Sequence, residues 1–144
     1  MDIMSGSKKI KKQKPIIFIQ DCGIFSNDVL VASGAGQQQI LKFLKSRKHI
    51  PKEAIKWIEG ETRAFKLLDE NKGVSGWKDG RLLLLLRPVN DDWDYWETLL
   101  HEVHHLVSAV VRYKRMWKEI EAQAYFAEYL FRHIRRKLMG FEKL

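Results

Sequence analysis

The stretch DDWDYWETLLHEVHHLVSAVVRY, Asp91–Tyr113, holds three of the chain's five histidines and predicts a long amphipathic helix. Its leading aspartates suit a helix N-terminus, where a carboxylate accepts hydrogen bonds from free backbone N–H groups. At 100° per residue the helix divides into an apolar and a polar face. The apolar face comprises Leu99, Leu100, Val103, Leu106, Val107, Val110 and Val111, and the polar face comprises Glu97, Thr98, His101, His105 and Ser108. Such a helix packs on a core while its histidines line a cleft or face solvent.

The residues before this helix predict a small sheet. PIIFIQD (15–21) and DVLVASGAG (28–36) predict two short strands, and TRAFKLLDE (62–70) and RLLLLLRP (81–88) predict two more around the turn-rich connection NKGVSGWKDG (71–80). The five consecutive leucines, 82–86, indicate a strand shielded on both faces. Two short helices are predicted between the strand pairs, in QQQILKFLKSRK (37–48) and IPKEAIKWIEG (50–60).

A second long helix is predicted in WKEIEAQAYFAEYLFRHIRRKL (117–138), with Gly140 as its C-terminal cap. Strands therefore precede helices, which predicts an α+β fold with a small antiparallel or mixed sheet packed on the two C-terminal helices. Residues 1–14 read as a disordered basic tail, and residues 15–144 are long enough to form one domain with a core of its own.

Composition limits the classes of protein. Cys22 is the single cysteine, so a disulfide framework and a cysteine-rich zinc site are excluded, and a reducing cytoplasm is the expected location. No apolar run reaches the roughly 18 residues of a membrane span, so no membrane association is expected. The net charge of +8 is concentrated at the two ends: residues 1–14 carry five lysines against one aspartate, and residues 112–144 carry nine Lys/Arg against four Glu. These ends could make weak contacts with nucleic acid.

His101, Glu102 and His105 match the pattern H-E-x-x-H. Histidines four residues apart lie one above the other on a helix and can both reach one Zn²⁺ at about 2.0–2.1 Å. The glutamate beside them projects to the side, where it can act as general base on a water activated by the metal. His104 lies beside the pair and is not predicted to be a ligand.

A catalytic zinc site needs a third protein ligand and an open position for water. The second helix offers Glu119 and Glu121, which lie about 200° apart, so only one can face the metal. Glu121 is favoured because its neighbours Ala122 and Ala124 are small and would let the helices approach closely.

HEVHH (101–105) followed by EIEAQAYFAEYL (119–130) resembles the gluzincin pattern, and especially the short ImmA/IrrE-type and phage-encoded zinc peptidases. The resemblance covers about residues 96–130 and implies a minimal zincin-like fold. It also implies His101, His105 and Glu121 as zinc ligands and Glu102 as general base. In that family the edge strand of the sheet lies beside the active-site cleft, and RLLLLLRP is the expected counterpart. Gln123 and His104 depart from the family, which usually has asparagine and glycine at these two positions.

The expected function is zinc-dependent hydrolysis of peptide bonds in a cytoplasmic protein substrate. Tyr125, one turn after Glu121, could donate a hydrogen bond to the oxyanion, with His104 as the alternative, but an amphipathic tyrosine at the edge of the core explains Tyr125 equally well. The competing function is a basic nucleic-acid-binding or regulatory module with structural zinc or none, favoured by the lysine-rich tail and FRHIRRK (131–137). The oligomeric state is left open.

Overall fold

The computed structural model describes residues 14–23, 27–115 and 118–144. It has an α+β fold, as predicted. The elements in chain order are β1 (Ile16–Asp21), β2 (Asp28–Ser33), α1 (Gln37–Ser46), α2 (Lys52–Gly60), α3 (Thr62–Glu70), β3 (Gly73–Lys78), β4 (Arg81–Leu86), α4 (Trp93–Lys114) and α5 (Ile120–Leu138). The predicted basic tail lies outside the described residues except for Lys14.

The four strands form one mixed sheet in the order β1-β2-β4-β3. β1 and β2 are antiparallel, β2 and β4 are parallel, and β3 and β4 are antiparallel. The turn between β3 and β4 is Asp79–Gly80, whose φ angles of 50° and 80° have the sign that a two-residue type I′ hairpin turn requires. Helices cover both faces of the sheet.

The five leucines of β4 alternate between two cores. Leu82, Leu84 and Leu86 face the core formed with α4 and α5, whereas Leu83 and Leu85 face the core formed with α1, α2 and α3. All five are at most 3% exposed. Full burial of a leucine side chain contributes roughly 1.5–3 kcal/mol, so this strand is a major source of stability. The predicted strand shielded on both faces is confirmed.

Two expectations about the sheet are wrong. The segment TRAFKLLDE is not a strand but helix α3, and the connection after it contains β3. As a result β4, expected at the edge of the sheet, lies between β2 and β3, and β3 is the edge strand next to α4. The small residues Gly73, Ser75 and Gly76 give β3 the composition of a turn, and pairing with β4 makes it a strand.

Helix α4 begins as the sequence predicts. The side chain of Asp92 is the N-cap and accepts a hydrogen bond of 2.8 Å from the backbone N–H of Tyr95. The predicted apolar face is buried except for Leu100, which is 42% exposed. The helix ends at Arg115, whose φ of 57° and ψ of 37° are left-handed. Among the described residues, no helix is both long and apolar enough to span a membrane.

Candidate metal centre

His101 and His105 lie on successive turns of α4 with their imidazoles in contact. Their Nε2 atoms are 3.1 Å apart, and the ring planes are nearly perpendicular at 80°. Two ligands placed about 2.05 Å from one tetrahedral ion would be separated by about 3.3 Å. The pair is therefore within a few tenths of an ångström of the spacing that a shared metal ion requires.

The same 3.1 Å contact also suits a hydrogen bond between two neutral imidazoles, in which one Nε2 donates and the other accepts. Both rings are on the exposed face of the helix, and 69% of the His101 side chain is exposed. A metal ion would replace the single shared proton, because metal-ligating histidines bind through a deprotonated nitrogen. His104 is also exposed and lies outside this pair.

Glu102 differs from its two histidine neighbours because it is buried, with 7% of its surface exposed. Its Oε1 lies 4.0 Å from His101 Nε2. Its methylene groups lie against the start of β3, where the absence of a side chain at Gly73 leaves room for them. A buried carboxylate is costly unless something interacts with its charge, and the His101 imidazole is the nearest ion-pair partner found for it.

Glu102 lines two clefts, one on each side of the start of β3. The larger, about 540 Å³, extends along the His101 side of α4 and is walled mainly by polar and charged side chains, among them Glu70, Lys72, Arg87, Asp94 and Glu97. The smaller, about 280 Å³, reaches His105 and has Leu67, Val74 and Trp77 in its wall.

The structure does not bring the predicted third ligand to the histidines. Glu119 is the N-cap of α5, and Glu121 is exposed in its first turn. Tyr125, one turn further, is 68% exposed. Within residues 14–23, 27–115 and 118–144, no three or more His, Cys, Asp or Glu side chains are grouped closely enough to hold a metal ion. Residues 116 and 117, which join α4 to α5, lie outside the described residues.

Cys22 is not an activated nucleophile. Its side chain is 1% exposed, and burial, followed by the charges of Asp28 and Asp21, raises the pKa of its thiol to about 12. The thiol is therefore protonated at neutral pH, and Cys22 packs as a small side chain in the core formed with α4 and α5.

Some basic side chains in the C-terminal part of α5 make contacts with other parts of the fold. The guanidinium of Arg135 lies 5.0 Å from the ring centre of Trp96, and Lys137 Nζ donates a hydrogen bond of 2.7 Å to Gln20 Oε1. Basic residues near the end of a helix also interact favourably with its dipole. The charge of this segment therefore has structural roles that do not require nucleic acid.

The sequence did not single out Gly73 or β3 as parts of the site. A glycine after a helix and before a hairpin is predicted from its neighbours in sequence to be a turn residue. Only the close approach of α4 to this strand requires a residue without a side chain at that position. The one signal available was the presence of two glycines and a serine, which mark a strand that another segment can approach closely.

Comparisons of the chain with family models, with curated proteins and with solved structures find no match. Its function must therefore be inferred from its own residues and their geometry.

Proposed function

We propose that this chain is a zinc-dependent peptidase with His101 and His105 as metal ligands. The observation that carries the proposal is the spacing of 3.1 Å between the two Nε2 atoms, beside a carboxylate that is buried at the junction of two clefts. A zinc ion held there would supply Lewis-acid chemistry, polarising a peptide carbonyl and lowering the pKa of water toward 7.

The residues of the chain have distinct roles in this proposal. The Glu102 carboxylate takes a proton from the attacking water as the water oxygen bonds to the carbonyl carbon, and returns it to the nitrogen as the C–N bond breaks. Glu121 is proposed as the third ligand, on the strength of the resemblance of EIEAQAYFAEYL to the second motif of short zinc peptidases. Tyr125, exposed one turn later, is proposed to donate to the oxyanion.

Binding through Glu121 would require the first turn of α5 to approach the histidines. The connection between α4 and α5 is short, and α5 starts with an N-cap that makes no side-chain capping hydrogen bond. The main contacts of α5 are with α4 and β1, whereas the clefts at His101 and His105 border β3 at the opposite edge of the sheet. The free Cys22 is usual for the reducing cytoplasm, and we propose a cytoplasmic protein or peptide as substrate.

Metal content by mass spectrometry tests the ligands. The purified protein is expected to hold about one zinc ion per chain after reconstitution, and His101→Ala and His105→Ala are expected to abolish binding. His104→Ala is the matched control, because it removes an exposed imidazole that lies between the two proposed ligands in the sequence but outside the pair in the structure. Zinc binding that survives His101→Ala would overturn the proposal. Comparing Glu121→Ala with Glu119→Ala identifies the third ligand.

Hydrolysis is tested separately on a mixture of peptides from a denatured protein. Zinc-dependent cleavage is expected, and Glu102→Gln is expected to abolish it while zinc content stays unchanged, with Glu59→Gln, an exposed position on α2 outside both clefts, as the control. Cleavage that persists in Glu102→Gln would contradict the role of the carboxylate. Zinc binding without cleavage by the wild-type protein, together with salt-dependent DNA retention, would favour the nucleic-acid-binding module.

A further inference from the structure

A cavity of about 230 Å³ lies on the side of the sheet opposite the histidines, between the strands and helices α1 and α2. Most of its wall is apolar and includes Leu30 of β2, Leu44 of α1, and Trp57 and Ile58 of α2. All four belong to the core formed with α1, α2 and α3. An apolar cavity of roughly 150 Å³ is already large enough to bind benzene. The space therefore suits one bulky apolar group, although it is too small for a large cofactor.

Two residues of opposite charge border this cavity on neighbouring strands. Asp28 begins β2 and Arg81 begins β4, and both line the cavity. The parallel register pairs Leu30 with Leu83, so Asp28 and Arg81, each two residues earlier, lie side by side. Because side chains alternate along a strand, they share the face of Leu30 and Leu83, which is the face of the cavity. A carboxylate and a guanidinium are thus adjacent at one end of an apolar cavity.

The charges at this end of the sheet are separated by sign. Asp21 of β1 pairs with Asp28, and Lys78 of β3 pairs with Arg81, so two acidic residues are followed by two basic ones across the four strands. In the described part of the chain, neither Asp28 nor Arg81 takes part in an ion pair. Burial, followed by the like charge of Asp21, raises the pKa of Asp28. A ligand with a cation on the Asp28 side and an anion on the Arg81 side would complement this row.

The backbone that carries the two charged residues is held in place. Asn27, which precedes Asp28, donates a hydrogen bond of 2.7 Å from Nδ2 to the carbonyl oxygen of Gly80, which precedes Arg81. Asn27 and Gly80 also line the cavity. The start of β2 is therefore tied to the turn before β4. Groups that are already positioned before a ligand binds lose less entropy when it binds.

We infer that this cavity binds a free α-amino acid with a bulky apolar side chain. The ligand ammonium pairs with Asp28, its carboxylate accepts hydrogen bonds from Arg81, and its side chain lies against Leu44 and Trp57. Neighbouring strands are about 4.7–4.9 Å apart, so one α-carbon can present its ammonium and carboxylate to both residues at once. An arginine binds a carboxylate well because its guanidinium offers two parallel N–H donors. The inference does not depend on the proposed peptidase, since the cavity shares no residue with either cleft at Glu102.

Isothermal titration calorimetry of the full chain with L-phenylalanine and L-leucine tests the site. One ligand per chain is expected to bind. L-Alanine is expected to bind at least about tenfold more weakly than L-phenylalanine, because its methyl group leaves most of the apolar wall uncovered. Two analogues each lack one charged group: 3-phenylpropanoate has no ammonium, and phenethylamine has no carboxylate. Each is also expected to bind at least about tenfold more weakly, because a hydrogen-bonded charge is left without its partner.

Three variants test the residues. Asp28→Asn and Arg81→Gln are each expected to weaken L-phenylalanine binding by about tenfold or more, and Ala54→Phe is expected to abolish it by placing a ring in the cavity. Asp69→Asn and Arg63→Gln make the same chemical changes at exposed positions of α3 outside the cavity, and binding should be unchanged in both. Circular dichroism confirms that each variant is folded.

Several results would overturn the site. One is that neither L-phenylalanine nor L-leucine binds more tightly than about 1 mM. Another is that L-phenylalanine, 3-phenylpropanoate and phenethylamine bind equally well, since the charged groups would then have no role. Binding that is the same in folded Asp28→Asn and Arg81→Gln proteins as in the wild type would place the ligand elsewhere. None of these measurements involves zinc or cleavage, so failure of the amino-acid site and failure of the peptidase are seen in separate experiments.

Discussion

Gly73 on β3 lies so close to Glu102 on α4 that a Cβ atom at position 73 would be 3.0 Å from Glu102 Cγ. The same atom would be 2.9 Å from Thr98 Cγ2, a distance at which either these side chains or the backbone of the strand or helix must shift. The glycine therefore lets the edge strand approach the histidine-bearing helix, and it fixes where the carboxylate of Glu102 lies.

Gly73→Ala is expected to lower the free energy of unfolding by about 1–3 kcal/mol, the usual cost of forcing extra carbon into a packed contact. It should also displace Glu102, so that any activity dependent on Glu102 falls, while the zinc binding that we propose for the histidines remains. Urea unfolding and zinc content measure the two effects. Gly60→Ala is the control, since nothing lies within 4 Å of a Cβ there. A Gly73→Ala protein as stable and active as the wild type would show that the contact has no role.

Tyr95→Phe tests the link between the start of α4 and the end of β2. The Tyr95 hydroxyl is buried 2.8 Å from Ser33 Oγ, and Ser33 donates its own proton to the carbonyl oxygen of Arg87. Tyr95 must therefore be the donor to Ser33. Removing this hydroxyl is expected to cost about 1 kcal/mol in urea unfolding. Tyr113→Phe, at a position that is 64% exposed, should change stability little, and an equal effect of the two substitutions would contradict the prediction.

Ionisation of the buried Cys22 thiol makes the free energy of unfolding depend on pH in the alkaline range. Its thiol has a pKa of about 12 in the fold against 9.0 ordinarily, so the folded state retains a proton that the unfolded chain releases. The contribution of the protonated thiol to the free energy of unfolding is fully present below pH 9.0 and is lost as the pH rises toward about 12. Burial also raises the pKa of Tyr95 from 10.0 to about 12, which acts in the same direction at higher pH.

Urea unfolding at about pH 8 and about pH 10 measures this effect. The wild type is expected to lose about 1 kcal/mol more between the two values than Cys22→Ala, which has no thiol to titrate. Other groups that titrate in this range affect both proteins equally, so the difference between their two losses of stability is due to the thiol. Parallel pH profiles for the two proteins would show that Cys22 is not the cause.

Arg115 ends α4 in the left-handed conformation, with a φ of 57°. In this left-handed conformation a residue with a side chain is less stable than glycine by about 1 kcal/mol. Arg115→Gly is therefore expected to raise the melting temperature. Arg112→Gly, within the same helix, is expected to lower it, because glycine in a helix interior costs about 1 kcal/mol. Thermal unfolding of the two variants should therefore shift in opposite directions, and shifts of the same sign would contradict the assignment of the helix end.

Helix α4 could be predicted because the residues that determine its ends and its faces all lie within the helix or next to it in the sequence. The capping aspartate, the apolar face and the pair of histidines are all encoded within one continuous stretch. The cap and the exposed histidine pair are found as expected, and the apolar face is buried except for Leu100. The leucines of β4 were likewise recognisable, since an unbroken apolar run requires cover on both faces. In both cases periodicity within the segment determines which residues are buried.

The position of β3 was not predictable in the same way. Its glycines and serine have poor strand propensity, and it becomes a strand through pairing with β4 and contact with α4. The misassignment of α3 as a strand has another origin, because Ala64, Phe65, Leu67 and Leu68 recur at helical spacing in a segment of only nine residues, of which Ala64 alone is buried. The site therefore could be predicted on the helix but not on the strand that faces it.

The open edge of β3 is flanked by Lys72 and Lys78. If two copies of the chain met edge to edge in antiparallel register about Ser75, Lys72 of each copy would lie opposite Lys78 of the other. Like charges directly across a strand pair are destabilising, and lysines on exposed edges are a common protection against aggregation. The two lysines therefore disfavour pairing of this edge with another copy of the chain, the ion pair of Lys72 with Asp94 at 2.6 Å reduces that repulsion, and replacing both lysines by threonine would remove it.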